Sequence, residues 1–396
     1  MRAFRLAMYL DDGLVCGGAE RVARRLLNHW SEQGYDVYMV ARQPPDTGFY
    51  DLPPGVSGLS LSGQAKGQNG TKPGTDKSAG IRSRWLRFVP GRAFIRLIYE
   101  AFLLRRVLSR IDADVTVAFL TPANVKLLIS AFGLRCKVVV SERNDTRAYR
   151  YPIMWRVLRR LLYRRADMVT ANMAGAIQDM AAYVPESRLA FVPNPVELPP
   201  DELLARADRS NRIVSVGRLV SYKRHLMLIQ AFASLNDEFH AWELDIVGDG
   251  PMRPELEKMI AEHGLCGRVH LHGLIRDVDT FYRAGGIFVL PSSVEGTPNA
   301  LLEAMAHALP CIVSDSISGA HNYIEEGVTG FTFSSRSTLE LTRKIEFLAH
   351  SPQLRSEIGS NARNKLKVIE PATAYQAWDR VIELVAGSQA RSATNP

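Results

Sequence analysis

Two glutamates, Glu295 and Glu303, stand with seven residues between them in the run PSSVEGTPNALLEAMAHALP, from Pro291 to Pro310. Ionised carboxylates accept hydrogen bonds only, so a pair brought to one ligand suits the reading of hydroxyl groups. Thr297 followed by Pro298 reads as a helix start, because a hydroxyl can cap orphan amides and proline fits the first helical turn. Leu301, Leu302, Met305 and Leu309 recur at helical spacing, while the upstream GIFVLPSS reads as a buried strand. Glu295 is therefore expected in a loop and Glu303 on a helix at a strand's carboxyl end, where open α/β sheets bind ligands.

Other residues suit phosphate. In DDGLVCGGAERVARRLL, Gly17 and Gly18 permit close backbone approach just before a helix N-terminus, a place that suits an anion. In VGRLVSYKRH, Arg218 and Lys223 lie in a loop between a strand and a helix around His225 to Ala233. Two cations there can clamp a diphosphate, each charge-assisted hydrogen bond contributing roughly 1.5–3 kcal/mol. Glycine amides, two cations, a helix N-terminus and two carboxylates, all at carboxyl ends of strands, describe a nucleotide-sugar site.

The elements that must position them alternate along the chain. FRLAMYL, DVYMVAR, DVTVAFL, KVVVSE and MVTANM read as strands in the first half; RIVSVGRL, WELDIVGDG, RVHLHGL, IFVLPSS and PCIVSD do so in the second. Helical stretches separate them, which predicts parallel sheets with crossover helices. At 396 residues and 46% hydrophobic, the chain is long enough for two domains with full cores. Prolines 193, 195, 199 and 200 mark the linker between them. The expected division is an acceptor-side domain over 1–194, with a mobile loop at 62–80, then a nucleotide-sugar domain over 195–370, then a helix and polar tail over 371–396.

Cys16, Cys136, Cys266 and Cys311 are scattered without metal-ligand spacing, so neither a disulfide framework nor a structural zinc site is expected, and a reducing compartment is. FRLAMYL is too short for a signal-peptide core, and no apolar run is long enough to span a bilayer. The expected location is cytoplasmic.

VGRLVSYKR, LDIVGDGPMRPEL, VHLHGLIRDV and PSSVEGTPNALLEAMAHALPCIVSD resemble the retaining glycosyltransferases of family 4. The likeness is dense from about Arg212 to Phe333; GGAERVARRLL and VVVSERND agree with it in the first half. It implies the GT-B architecture, two Rossmann-like domains facing across a cleft, with the C-terminal helix crossing back to the first. It further implies that Arg218 and Lys223 bind the donor diphosphate, that Glu303 holds the ribose and that Glu295 contacts the transferred sugar. Gly17 and Gly18 approach the phosphates, amides of Asn299 and Ala300 reach the distal one, and Leu274 and Ile275 line the base. Many members carry a histidine where this chain has SERND, and there Glu142, Arg143 and Asn144 resemble the acceptor side of a subgroup acting on N-acetylhexosamines and polyprenyl-linked glycans. Arg218, Lys223 and helix amides can neutralise the departing diphosphate without a metal, so no cofactor is expected.

Two patterns mimic metal sites. DAD, Asp112 to Asp114, sits where a strand starts rather than where it ends, and His270 and His272 merely alternate along a strand. The net charge of +8 collects in IRSRWLRFVPGRAFIRLIYEAFLLRRVLSR and RAYRYPIMWRVLRRLLYRR, interleaved with Trp85, Phe88, Phe94, Tyr151 and Trp155. Basic amphipathic helices of this kind read as membrane-surface elements. No nucleic-acid motif accompanies the charge. The expected protein is thus a hexosyltransferase on the inner face of the plasma membrane, moving a hexose or N-acetylhexosamine from a nucleotide diphosphate sugar, a UDP-sugar favoured and GDP-mannose the alternative, to a polyprenyl-diphosphate-linked glycan. The competing readings are a nucleotide-sugar 2-epimerase and a non-catalytic binding subunit.

Overall fold

The computed structural model describes residues 4–12, 17–43, 50–61, 92–144, 146, 151–205, 210–368 and 371–387. The expected loop at 62–80 and the polar tail from 388 lie outside them.

Continuous apolar runs such as VTVAF and IFVL are buried along their whole length, as strands covered on both faces by helices must be. The first sheet comprises β1 (Arg5–Leu10), β2 (Asp36–Ala41), β3 (Val56–Ser60), β4 (Val115–Phe119), β5 (Lys137–Glu142), β6 (Met168–Ala171) and β7 (Leu189–Phe191). Its order is β3-β2-β1-β4-β5-β6-β7. The second comprises β8 (Arg212–Val216), β9 (Glu243–Val247), β10 (Val269–Gly273), β11 (Ile287–Leu290), β12 (Cys311–Ser314) and β13 (Phe331–Phe333), ordered β10-β9-β8-β11-β12-β13. Both are parallel, and strand order reverses between β1 and β4 and between β8 and β11. Such reversals open a crevice at the carboxyl edge. The loops leaving β1, β4, β8 and β11 therefore form the walls of one cleft.

Each sheet carries an apolar cluster on either face. The helix Pro371–Ala386 follows the second sheet in sequence but packs on the first, as expected. Its Trp378 is fully buried, edge-on to Trp30 at 5.9 Å and beside Phe119 at 5.8 Å.

The helix behind Glu295 spans Asn299–Ala306, close to expectation, but Thr297 does not cap it. Its hydroxyl instead donates to the carbonyl of Asn172 at 2.9 Å, tying the second sheet's loop to the first.

Candidate active site

The facing carboxyl edges enclose a cleft of about 670 Å³, within the range that holds a drug-sized ligand. Gly17, Gly18, Arg143 and Asn144 line it from the first sheet; Arg218, Lys223, Leu274, Ile275, Glu295, Asn299 and Ala300 line it from the second.

Lys223 closes a 3-10 turn, Ser221–Lys223, directly after β8, and its ammonium donates to the Glu295 carboxylate. Both side chains are mostly buried, so this pair forms in reduced solvent screening. Arg218 donates to the Tyr222 hydroxyl at 3.0 Å, which fans its guanidinium over the same wall. Glu303 is 5% exposed and lies just behind the cleft surface. Its Oε2 accepts from Arg21 at 2.5 Å and from the buried Tyr282 hydroxyl at 3.1 Å. Arg21, on the helix Gly18–Glu32, lines the cleft from the opposite side.

Two glycines mark where the halves touch. A Cβ on Gly18 would lie 2.6 Å from the Asn299 side-chain nitrogen, and one on Gly296 would lie 2.5 Å from the Arg143 carbonyl oxygen. A polar relay runs alongside. Arg143 donates to Asn194 Oδ1 at 2.5 Å, and the Asn194 amide donates to Asn299 Oδ1 at 2.5 Å.

The comparisons with known proteins agree with this geometry. The model described as Glycosyltransferase Family 4 matches residues 16–200, and that described as Glycosyl transferases group 1 matches residues 202–365. The chain belongs to these glycosyltransferases. A relative from Campylobacter jejuni, "GalNAc-alpha-(1->4)-GalNAc-alpha-(1->3)-diNAcBac-PP-undecaprenol alpha-1,4-N-acetyl-D-galactosaminyltransferase", is 27% identical over 71% of this chain and 77% of its own. The amylovoran biosynthesis glycosyltransferase AmsD of Erwinia amylovora is 28% identical over 96% of this chain and 99% of its own. Among solved structures, sucrose-phosphate synthase from Thermosynechococcus elongatus superposes with a TM-score of 0.76 at 18% identity, covering 97% of this chain and 100% of that one. The fold is GT-B and the enzyme a hexosyltransferase.

The transferase departs from sequence expectation at Glu142. Expected on the acceptor side, it is fully buried and does not line the cleft. It ends β5 with its side chain in the sheet's interior, where Oε1 accepts from Thr121 at 2.6 Å and from the Tyr163 hydroxyl. Burial pushes its carboxyl pKa up. Arg143, one residue on, lies under the cleft with its guanidinium 4.4 Å from the Phe119 ring and 5.1 Å from that of Trp378. Burial lowers its pKa to about 9. Asn144 donates to the Tyr151 hydroxyl at 3.1 Å.

Asn299 also differs, because its backbone N–H donates to the Thr297 carbonyl at 2.9 Å and its side-chain Oδ1 accepts from Asn194 in the relay. Glu20, which sequence reasoning passed over, lines the cleft with its carboxylate folded back over Gly17; a Cβ on Gly17 would lie 2.1 Å from Oε2. Burial raises the pKa of Glu20, and the charge of Arg218 opposes the rise. The signal for Glu20 and Arg21 was their place in GGAER, immediately after the glycines.

The two metal mimics are structural. Asp114 accepts from the Arg5 backbone N–H at 2.8 Å, and His270 and His272 pair across strands with Glu243 at 3.2 Å and Asp245 at 2.6 Å. Among the described residues no group of three or more His, Cys, Asp or Glu side chains is arranged to hold a metal ion. Cys136, Cys266 and Cys311 are not joined in disulfides among the described residues, and no helix among the described residues is long and apolar enough to cross a membrane. Chemically, the cleft offers a mostly buried cation–carboxylate pair, Lys223 with Glu295, and a second cation, Arg218, around one space, with the Glu303 carboxylate behind its surface.

Proposed function

We propose that this glycosyltransferase moves a hexose or N-acetylhexosamine from a nucleotide diphosphate sugar, UDP-linked in preference to GDP-mannose, to a polyprenyl-diphosphate-linked glycan in bacterial cell-surface polysaccharide synthesis. The observation that carries it is the Lys223–Glu295 pair beside Arg218, facing the Gly17–Gly18 turn across the cleft.

Each group has a task. Lys223 and Arg218 receive the negative charge that develops on the diphosphate as the sugar–oxygen bond breaks, and fixed charges in a partly dry cleft do this without reorganising. Glu295, held by Lys223, reads hydroxyls of the departing sugar. Glu303 reads the ribose from behind, and the half-exposed Leu274 and Ile275 flank the base. Arg143 and Asn144, the latter bonded to the Tyr151 hydroxyl, form the acceptor side. The sugar leaves with its anomeric configuration retained: the acceptor hydroxyl attacks from the leaving group's face and gives its proton to a phosphate oxygen. That route requires neither a metal nor a side-chain base.

The glycan class is supported by the relatives, one named for an undecaprenol-diphosphate-linked acceptor and one for amylovoran biosynthesis. Such an acceptor makes the inner face of the plasma membrane the place of work and an anionic membrane surface the partner.

Incubating the purified protein with labelled UDP-GalNAc, UDP-GlcNAc, UDP-glucose or GDP-mannose, polyprenyl-linked glycan and EDTA tests this directly. Label entering the lipid phase from one donor is the expected result. Epimerised donor with no lipid label, or transfer abolished by EDTA, would overturn the respective part of the reading.

A further inference from the structure

β1 and β4 lie side by side where the first sheet's strand order reverses, with Tyr9 level with Ala118. The first residues past their ends, Asp11 and Leu120, therefore stand together at the carboxyl edge, and both line the cleft.

Asp11 is a held carboxylate rather than a solvated one. The Lys126 ammonium donates to its Oδ1 at 2.6 Å and to its Oδ2 at 2.7 Å, and the fully buried Tyr9 hydroxyl donates to Oδ1 at 2.9 Å. Lys126 is itself 5% exposed and anchored from behind by Glu100 at 2.5 Å. An ionised carboxylate offers about four lone pairs. The bonds to Lys126 and Tyr9 leave one of them on Oδ2, and the side chain is 26% exposed.

Leu120 holds a conformation that few residues other than glycine adopt, φ 73° and ψ 144°. Its N–H donates to the Ser141 carbonyl at 2.9 Å and its carbonyl accepts from the Asn124 N–H at 2.9 Å, so the surrounding backbone fixes it there. Backbone outliers of this kind gather at ligand sites. This one opens the helix Thr121–Ser130 and leaves Leu120, Pro122 and Ala123 lining the cleft beside Asp11.

The corner thus offers a hydrogen-bond acceptor next to an apolar surface. Its neighbouring cations are already matched, Lys126 by Asp11 and Glu100, and Arg42 by Asp12 at 2.6 Å and Glu100 at 3.9 Å. A phosphate here would meet carboxylates whose cations are engaged. A neutral sugar instead brings a hydroxyl to donate and a C–H face to lie on leucine and proline.

We propose that Asp11 reads the terminal sugar of the acceptor: its Oδ2 accepts from a hydroxyl beside the attacking one, while Leu120 and Pro122 carry the sugar's C–H face. The inference rests on the transfer reaction proposed above and adds the group that selects its acceptor. The attacking hydroxyl keeps its own proton for the phosphate oxygen, so Asp11 orients the sugar and moves no proton. Lys126 and Tyr9 are positioning residues behind it.

Transfer to the polyprenyl-linked glycan, and to synthetic forms of it each lacking one hydroxyl of the terminal sugar, tests this in wild type, Asp11→Ala and Pro122→Ala, with UDP and GDP titrated calorimetrically alongside. One deoxy acceptor is expected to lose about tenfold or more in kcat/KM with the wild type, as for a hydrogen bond to a charged group, and nothing further with Asp11→Ala. Asp11→Ala should lose the same factor on the intact acceptor and keep nucleotide affinity within about twofold. Pro122→Ala should raise the acceptor KM by about threefold or more, with kcat little changed. A wild type indifferent to every single deletion overturns the assignment, whatever the fate of the variants. Deletions that cost wild type and Asp11→Ala alike overturn it too, as does nucleotide affinity lost together with acceptor affinity, which would make Asp11 structural only. A wild type that transfers to no acceptor falls on the proposed function and takes this inference with it.

Discussion

Arg21 and Glu303 are ion-paired at 2.5 Å although 282 residues separate them, one from each half of the enzyme. The carboxylate that reads the ribose in the proposed mechanism is therefore oriented by the opposite wall of the cleft, with Tyr282 as its second partner. Removing one partner of a buried pair leaves the other charge uncompensated, whereas the pair itself adds little net stability. Arg21→Ala is expected to destabilise the protein by about 1–3 kcal/mol and to raise the donor KM. Urea unfolding and steady-state kinetics measure the two, and an unchanged KM would remove Arg21 from the site.

Lys223 bonds Glu295 and faces the space where the diphosphate is to sit. Lys223→Ala should lower kcat/KM for the donor by about one to two orders of magnitude, mostly in kcat, because the charge it meets grows in the transition state. Equal turnover in mutant and wild type would refute the assignment.

Gly296 is in backbone contact with Arg143 across the cleft. A methyl group there has to push the two halves apart, since the atom it meets is a carbonyl oxygen and not a movable side-chain tip. Gly296→Ala is expected to cost about 1–3 kcal/mol and to reduce transfer, while Gly267→Ala, whose Cβ would meet nothing within 4 Å, serves as the neutral control. Matched thermal melts of the two variants decide it.

His225 opens the helix that follows Lys223, is 3% exposed, and has its pKa lowered to about 3 by burial first and by the Lys223 charge second. A base whose folded pKa is depressed contributes stability above its unfolded pKa of about 6.5 and loses it as pH falls toward the folded value. Wild type should therefore lose on the order of 2 kcal/mol relative to His225→Gln between pH 7 and pH 4.5. Parallel slopes for the two proteins in denaturant titrations across that range would contradict the burial of a neutral imidazole.

Strands such as IFVL and KVVVS were legible because burial on both faces leaves an unbroken apolar run. The short edge strands Leu189–Phe191 and Phe331–Phe333 were not, because three residues carry no period, and Val56–Ser60 mixes serine and glycine into its run. The cleft residues that follow strands closely, Arg218, Lys223 and Glu295, were readable for the same reason: a strand's end fixes where the next loop begins. Glu142 and Arg143 show the limit. One residue of chain separates a fully internal carboxylate from a cleft-lining arginine, and only the position of the strand's end decides which is which. Asn172, which accepts from Thr297, and Arg21, which donates to Glu303, belong to the other half of the chain, beyond the reach of any local pattern.

Calorimetric titration of UDP and GDP, in EDTA, into wild type and Lys223→Ala tests most directly that this cleft grips a nucleoside diphosphate by its own cations. Binding of one nucleotide to the wild type, weakened about tenfold or more by the substitution, is the result the geometry predicts. Absence of binding to the wild type, or equal affinity in both proteins, would contradict it.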